Sequence, residues 1–378
     1  MSVTKTPGTY SFIGNSIIFE LSDETSPISI QIIIGSESDW ASYYPFKIGN
    51  QWHVRMNISD YLNFDSNANI PEGAIITLLQ GFNLPYTIKF FRGEYKGNPI
   101  LFDQFDGIAL RGGISNQSFR KLWENGYDIF TYRLGSYFDQ FLFTTRTNGK
   151  EIKLKKAELY PFVFIHFGLP ITFRSESGTE IQTEAQPAGT ICAMDIRAVL
   201  GEMPAGTKRI DVCPQGDYSF HFLIQEERKL EEKYLIRFRN SLGAFEMIEV
   251  TGRANHAPEF LNENSYETLT DFDFYEERRS RVKTKGVIEV ETGYKERKDF
   301  PFIMDMIKSD EIYFLCPDGD SFRCHVTAES VQYRNFMTES TSIKLKIREV
   351  TEEEFSMPKI EFSDDSGIFY DTFDETFN

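Results

Sequence analysis

The sequence is poor in the residues that build most metal and redox sites. It contains four cysteines and five histidines in 378 residues, and no two cysteines form a Cys-x-x-Cys pair. Structural zinc and iron–sulfur sites depend on such spacings, so we expect no metal ion and no cofactor. The few cysteines fit a reducing compartment. Cys316 and Cys324 flank a turn and are interpreted as small buried residues rather than as a disulfide or metal ligands.

Long apolar runs are also missing. No window approaches the roughly 18 consecutive apolar residues that a membrane-spanning helix requires, and residues 1–10 lack the apolar core of a signal peptide. We therefore expect a protein that is made in a cytoplasm and has no membrane partner.

Positive charge is scarce. The chain has 40 basic and 57 acidic residues and a formal net charge of −17. Binding to phosphate backbones needs clustered Lys and Arg, so sequence-specific nucleic-acid binding is not expected. The acidity is compatible with a surface past which DNA slides without adhering; the alternative is that it only keeps the protein soluble.

Sequence signatures of catalysis are absent. The chain lacks G-x-G-x-x-G, G-x-x-x-x-G-K-[ST], H-E-x-x-H and G-x-S-x-G patterns. Residues 112–115 (Gly-Gly-Ile-Ser) resemble a phosphate-binding helix start but lack a following Lys, and 318–320 (Asp-Gly-Asp) resemble half a calcium loop. Sharp turns explain both. His166 and His221 lie in aromatic strands and are interpreted as core or interface residues, so no catalytic residue is assigned and the protein is predicted not to be an enzyme.

Aromatic residues and alternating patterns are abundant. Phe and Tyr number 35 and 18, and both favour strands. In 28–34, isoleucines at every second position mark a half-buried strand, and similar short runs recur at intervals of about ten residues. Helix signals occur only near 115–125, after Ser115, and at 301–308. The sequence predicts a mainly β protein with two or three antiparallel β-sandwich or barrel domains and one or two short helices.

Turn residues and composition divide the chain into five segments. Residues 1–110 are predicted as an N-terminal β domain and 111–255 as a middle β-rich domain. Residues 256–267 have the composition of a linker, and 268–352 are predicted as a C-terminal β domain with one helix. Residues 353–378 form an acidic, aromatic tail, which cannot build a core of its own.

Two surfaces are candidates for protein–protein interfaces. One is a basic strand face, whose charged side chains alternate with inward-facing Ile and Leu and could meet an acidic neighbour or solvent. The other is the tail, for which a partner surface, on another copy or another protein, and packing against its own domain are both open. The predicted interface residues are Lys344, Lys346, Arg348, Phe362, Phe369, Tyr370, Phe373 and Phe377.

Several motifs resemble one known family. They lie at residues 12–17 (FIGNSI), 111–115 (RGGIS), 141–147 (FLFTTRT) with 158–161 (ELYP), and 237–246 (RFRNSLGAFE). In content and order they resemble tail structural proteins encoded by bacteriophages and prophages of Bacteroidota. The acidic tail, residues 353–378, is not among the features that resemble this family.

The resemblance implies a structural role. The C-terminal domain is similar to the tail-tube-like module with which distal tail proteins build rings. It implies a homo-oligomeric, hexameric ring at the tail tip or baseplate that joins the tail tube to hub or receptor-binding proteins. The protein would then be a virion component made in the host bacterial cytoplasm, and no catalytic residues come with the family.

Two other functional classes stay open. A carbohydrate-binding or host-receptor-binding virion module would use Trp40, Tyr43, Tyr44 and Trp52 as stacking platforms, unless those rings belong to a core. An enzyme that degrades surface polysaccharide is the third class, but no catalytic constellation is visible for it.

Overall fold

The computed structural model describes residues 3–63, 73–126, 142–146, 151–215, 218–225, 233–261, 265–269, 274–279, 281–316, 321–328 and 342–352. Its contacts divide the chain into two units. Unit 1 contains the described residues of Met1–Glu227, Arg239–Met247 and Pro301–Asp305, and unit 2 those of Arg228–Phe238, Ile248–Phe300 and Met306–Asn378. None of the helices in the described ranges is long and apolar enough to cross a membrane.

The first part of unit 1 is a β-sandwich. Its larger sheet has the order β1-β9-β8-β3-β4 and its smaller sheet the order β2-β6-β5. β7 belongs to a different sheet, which is described below. The bounds are β1 Tyr10–Phe12, β2 Ile18–Ser22, β3 Ile28–Ile34, β4 Glu37–Tyr43, β5 Phe46–Ile48, β6 Gln51–Asn57, β7 Ile76–Leu78, β8 Asn83–Arg92 and β9 Ile100–Leu110.

Side-chain alternation builds the core of this sandwich. Ile28, Ile30 and Ile32 of β3 are fully buried, as the period-two pattern predicts. They share one apolar cluster with Phe19 of β2 and Met56 of β6, which belong to the opposite sheet. The two sheets are therefore held together by apolar burial on their inner faces.

The second part of unit 1 adds another pair of sheets and a helix. The sheets have the orders β10-β16-β15-β12-β13 and β11-β14-β7. Helix α2 begins after Asp195, whose carboxylate accepts a hydrogen bond from the backbone N–H of Arg197. The bounds are β10 Glu151–Lys155, β11 Phe162–Ile165, β12 Thr172–Ser175, β13 Glu180–Gln182, β14 Ile191–Met194, α2 Ile196–Glu202, β15 Arg209–Gln215 and β16 Tyr218–Gln225.

β11 and β14 of the β11-β14-β7 sheet are buried on both faces and connect two cores. Phe164 and Met194 pack into the core of the second sandwich, whereas Val163 and Ala193, one position away, pack into a cluster with Tyr10 from the start of the chain. β7, which precedes β8 and β9 in sequence, pairs with β14. The segments predicted as an N-terminal and a middle domain thus share one sheet.

Helix α1, Asn116–Asn125, begins and ends as its sequence predicts. The Ser115 side chain accepts a hydrogen bond from the backbone N–H of Ser118, and Gly126 ends the helix with φ of 69°. Phe119, Leu122 and Trp123 are half-buried. The Gly-Gly-Ile-Ser segment is therefore a turn into a capped helix.

Unit 2 is built around six strands whose pairings run in the order β17-β18-β23-β26-β25-β24 and form a barrel, because β24 also pairs with β17. Two further strand pairs, β19–β22 and β20–β21, lie between β18 and β23 in sequence. The bounds are β17 Lys233–Arg239, β18 Phe245–His256, β19 Glu259–Leu261, β20 Ser265–Leu269, β21 Tyr275–Arg279, β22 Lys283–Lys285, β23 Val287–Glu291, β24 Ile312–Leu315, β25 Ser321–Ala328 and β26 Lys344–Glu349. Helix α3, Phe300–Lys308, lies between β23 and β24 in sequence, and its residues Pro301–Asp305 belong to unit 1.

The prediction of a mainly β fold with antiparallel sheets is confirmed, with differences in detail. Two pairs, β1–β9 and β10–β16, are parallel. The described residues contain three α-helices rather than one or two, since α2 was not predicted. Residues 256–267, predicted as a linker, contain β19 and the start of β20, and the contact-defined units interleave along the chain instead of following the predicted ranges.

A close backbone contact joins distant parts of unit 1. The Gly14 N–H donates to the Gly112 carbonyl over 2.8 Å, and the Gly113 N–H donates to the Ser241 carbonyl over 2.6 Å. A Cβ atom on Gly112 would lie 2.4 Å from the Ser241 carbonyl oxygen, and one on Gly243 would lie 2.3 Å from the Arg111 carbonyl oxygen. Glycine is required at 112 and 243 because no side chain fits between these backbones.

We predict that Gly112→Ala strongly destabilises unit 1. Gly112 has φ of +100°, and the added Cβ also clashes with backbone atoms that cannot move independently, so we expect a loss of about 3 kcal/mol or more. Gly178→Ala is the matched control, because φ is +87° there but no atom lies within 4 Å; it should cost about 1 kcal/mol. Urea unfolding followed by circular dichroism measures both, and equal losses would contradict the packing described here.

Candidate functional site

A buried arginine lies between two buried carboxylates in unit 1. The Arg146 Nε lies 3.2 Å from Glu246 Oε2, and its Nη1 lies 3.4 Å from Glu158 Oε2. Its guanidinium carbon lies 4.1 Å from the ring centroid of Phe302, and Nη2 donates to the Met247 carbonyl. The side chains of Arg146, Glu158 and Glu246, which we call the ionic cluster, are 9%, 3% and 4% exposed. Charges this deeply buried are stable only when paired and hydrogen bonded.

Neutral hydrogen-bond donors complete the surroundings of Glu246. Its carboxylate accepts from the Thr144 hydroxyl over 2.8 Å and from the Asn240 side-chain amide over 2.6 Å. Burial raises the pKa of Glu246 above its ordinary value, while the Arg146 charge and the hydrogen bonds from Asn240, Thr144 and the Thr145 backbone act to lower it. The carboxylate is thus fixed by residues that precede it by very different distances along the chain, 6 positions for Asn240 and 102 for Thr144.

A further carboxylate, that of Asp305, binds the turn that follows Asn240. Asp305 accepts hydrogen bonds from the backbone N–H and the hydroxyl of Ser241, the former over 2.9 Å to Oδ2. The Thr145 hydroxyl donates to the same Oδ2 over 2.9 Å. Asn240 closes the turn internally, because its Oδ1 accepts from the Ala244 N–H over 3.0 Å. Asn240 and Gly243 thus belong to the turn between β17 and β18, where the Gly243 N–H donates to the Asn240 carbonyl over 2.9 Å.

The motifs that carried the family resemblance meet in this part of unit 1. Arg146 belongs to the motif at 141–147, Glu158 begins the next one, and Glu246 ends the last. The two remaining motifs supply Gly14 and Gly112 of the close backbone contact. Within the ionic cluster, Arg146 pairs with both Glu158 and Glu246. The cluster therefore fixes the positions of the chain segments that carry these three residues, and we assign no reaction to it.

Unit 2 presents a two-stranded ribbon, formed by the pairs β19–β22 and β20–β21. Almost every side chain of β20 and β21 is exposed. Isolated two-stranded antiparallel pairs are marginal in water, and apolar groups exposed in one region mark interaction surfaces. The large apolar side chains exposed on the ribbon are Phe260 at 63%, Tyr266 at 54%, Leu269 at 53%, Phe274 at 52% and Tyr275 at 68%.

The predicted basic strand face exists, and part of it is paired within unit 2. Ile343, Leu345 and Ile347 are buried, as their alternation predicts. Lys344 is exposed, whereas Lys346 Nζ and Arg348 Nη2 lie 3.1 and 3.0 Å from the Glu259 carboxylate of β19. Their role at an interface with another protein stays a prediction. The predicted tail residues Phe362, Phe369, Tyr370, Phe373 and Phe377 lie outside the described residues.

The four aromatic residues considered for glycan binding differ in their surroundings. Trp40 packs between Phe91 and Tyr95, with ring centroids 5.0 and 4.4 Å away. Tyr43 donates its hydroxyl proton to the Asn57 carbonyl, and burial raises its pKa to about 12. Tyr44 and Trp52 are 62% and 38% exposed. Exposed platforms are therefore formed by Tyr44 and Trp52, while Trp40 and Tyr43 are partly built into the sandwich.

A cavity of about 250 Å³ lies between the first residues of the described chain and helix α1. Phe12, Phe119 and Leu122 line its apolar side. Lys5 lies at its rim, with Nζ 4.1 Å from the ring centroid of Trp123. Sequence analysis missed this cavity because the two walls are about a hundred residues apart.

The histidines and cysteines occupy ordinary structural positions. His53 and His221 lie 3.0 and 3.2 Å from Glu20 and Glu151, and burial lowers the pKa of His166. No disulfide joins the four cysteines, all of which lie in the described ranges, and burial raises the pKa of Cys324 to about 12. Among the residues the structure describes, no group of three or more His, Cys, Asp or Glu side chains could hold a metal ion.

We predict that Arg146→Met destabilises unit 1 by about 3 to 5 kcal/mol, because it leaves the two buried carboxylates of the ionic cluster without their shared cation. Arg120→Met is the control, since Arg120 pairs with Glu124 on the exposed face of α1 with 79% of its side chain exposed; it should change stability by no more than about 0.5 kcal/mol. Thermal and urea unfolding at pH 7 measure both. Similar stabilities for the two variants would refute the role given to the cluster.

Comparisons with known proteins leave the family open. No family model matches the chain, and no curated protein matches it. Among solved structures, the chain is similar to the FN1–FN3 domains of chicken CNTN1, with 10% sequence identity, 76% of this chain and 90% of that chain covered, and a TM-score of 0.16. A TM-score this low carries no argument about fold or function.

Proposed function

We propose that this protein is a non-catalytic structural component of a bacteriophage tail, located at the tail tip or baseplate or in the distal tail ring. In this role it assembles with copies of itself into a ring, hexameric by analogy with the family it resembles. The ring connects the tail tube to hub or receptor-binding proteins. The protein is made in the host bacterial cytoplasm and ends in the virion.

The ribbon of unit 2 is the observation that carries this proposal. It exposes Phe260, Tyr266, Leu269 and Tyr275 on a two-stranded segment that buries little of its own surface. Large aromatic side chains are enriched at the centres of interfaces. A subunit that completes the burial of its ribbon on a neighbouring protein fits an assembly protein better than a monomeric enzyme.

Three further features support the same role. The barrel of unit 2, with its small antiparallel strand pairs, is of the kind that the family resemblance implies. The family-like motifs hold the fold of unit 1, which is what a structural family would retain. The net charge of −17 would let DNA pass through a ring without adhering.

We predict that the ribbon aromatics drive self-association. Replacing Tyr266 and Tyr275, which lie on opposite faces of the pair β20–β21, together by Ser should weaken assembly by roughly 10- to 100-fold, because whichever face packs on the neighbour loses a buried ring. Tyr294→Ser is the control, since Tyr294 is also in unit 2, lies outside the ribbon and is 80% exposed. Size-exclusion chromatography with light scattering gives the mass, and negative-stain images show whether rings or stacks form.

Two results would remove the proposal of ring assembly. One is a wild-type protein that stays monomeric at every protein concentration measured by light scattering and shows neither rings nor stacks in negative-stain images. The other is an equal loss of assembly in the Tyr294→Ser control, since the effect would then not be specific to the ribbon.

A carbohydrate-binding or host-receptor-binding virion module is the second candidate. The observation in its favour is the exposure of Tyr44 and Trp52 in the first sandwich. On a glycan array, binding that Trp52→Ala abolishes and Tyr294→Ala preserves would favour this function. An array without signal for the wild-type protein would exclude glycan recognition by these rings under the conditions used.

A further inference from the structure

Unit 2 carries a cluster of basic side chains in a chain that is otherwise strongly acidic. Two strands supply the cations, β22 and β26, and two carboxylates lie among them. The residues, which we call the basic patch, are Lys283, Lys285, Lys346 and Arg348, with the carboxylates of Glu259 and Glu352 between them.

Each carboxylate of the patch is shared by two cations. Glu259 contacts Lys346 and Arg348, as described above, and the Glu352 oxygens lie 3.6 and 3.3 Å from the Nζ atoms of Lys283 and Lys285. The Lys285 ammonium lowers the pKa of Glu352 by hydrogen bonding and by charge. Glu289 lies opposite Lys346 in the pair β23–β26 and adds a third carboxylate at the edge of the patch. Four cations facing three carboxylates leave one positive charge in excess on the patch.

The patch also stays accessible to a further anion. The side chains of Lys283, Lys346 and Arg348 are 40%, 41% and 41% exposed. An ammonium carries three donors and a guanidinium five, so each of these groups has capacity beyond the contact described. Exposed pairs of this kind are weak individually, but a segment with several carboxylates could engage the cations together.

The chain itself supplies such a segment. Glu352, already bound between Lys283 and Lys285, is the last residue described, and Glu353, Glu354 and Phe355 follow directly. Residues 353–378 contain eight acidic residues, one basic residue and six aromatic residues. Its first acids are therefore tethered within a few residues of the patch, which gives them a high effective concentration there.

We propose that the acidic tail, residues 353–378, binds to the basic patch of its own chain. Its carboxylates pair with Lys283, Lys285, Lys346 and Arg348, and its aromatic rings pack on the aliphatic stems and cationic heads of the same side chains. The occupant is the tail of the same chain because Glu352 of that chain already lies on the patch. This inference does not depend on the proposed function.

Carbodiimide cross-linking of the full chain tests the proposal, because the reagent joins a carboxylate to a lysine amine only when the two are in contact. A mixture of unlabelled and ¹⁵N-labelled chains is cross-linked and digested, and the peptides are identified by mass spectrometry. We expect links from the tail acids to Lys283, Lys285 and Lys346 within chains of one label. Their yield should fall severalfold between about 0.05 and 0.5 M salt, since the contacts are exposed and screened.

Proteolysis gives a second measurement that does not depend on the reagent. Lys283→Gln with Lys285→Gln should increase the rate of cleavage within the tail by an acid-specific protease severalfold. Lys283→Arg with Lys285→Arg should retain the wild-type rate, because the charge remains while the reactive amines are lost. Lys96→Gln with Lys121→Gln, at exposed sites in unit 1, is the control for the change in net charge.

Three outcomes would overturn the proposal. Links found only between differently labelled chains would place the tail on a neighbouring copy. An absence of links from the tail to the patch lysines, with other links present, would show that the tail lies elsewhere. Equal proteolysis of the Gln pair, the Arg pair and the control would show that the patch charge does not hold the tail.

Discussion

The fold of unit 1 depends on one buried guanidinium. Arg146 satisfies Glu158, twelve residues later, and Glu246, one hundred residues later, at the same time. Desolvating these three groups is costly, and only their mutual contacts with the donors of Thr144 and Asn240 offset it. An apolar core could be filled by many similar packings, whereas this arrangement is satisfied in one geometry. The turn between β17 and β18 therefore has one favourable position within the unit.

The two-sided sheet of unit 1 explains why its domain boundaries cannot be found in the sequence. β11 and β14 are buried throughout, so their sequences show continuous apolar runs and do not indicate which core each face belongs to. β7 lies far from both in sequence, yet it pairs with β14. A domain boundary predicted from composition lies where the hydrophobicity of the sequence falls. In unit 1 the pairing of β7 with β14 crosses the predicted boundary between residues 110 and 111.

Local patterns predicted the elements that bury one face or carry a cap. β3 and β26 carry buried apolar residues at alternate positions, and α1 is capped by Ser115 and Gly126, so each was predicted within a residue or two. The pairs β20–β21 and β19–β22 were missed because a ribbon that buries neither face has no hydrophobic period. The partners of Arg146 were missed for another reason, since charge pairing between residues a hundred positions apart leaves no trace in the spacing of any one motif.

The alternation of side chains along β19 and β22 makes two proposals compatible, the packing of the ribbon on a neighbouring protein and the binding of the tail to the basic patch. In the pair β19–β22, Glu259 lies opposite Lys285 and Leu261 opposite Lys283, so these side chains share one face of the ribbon. Phe260, opposite Thr284, points to the other face and is 63% exposed. A tail bound to the lysines would therefore cover the charged face of the pair β19–β22 and leave the face that carries Phe260 open. Since the two contacts do not compete for the same side of β19, a subunit could keep its tail in place while its ribbon packs on a neighbouring protein.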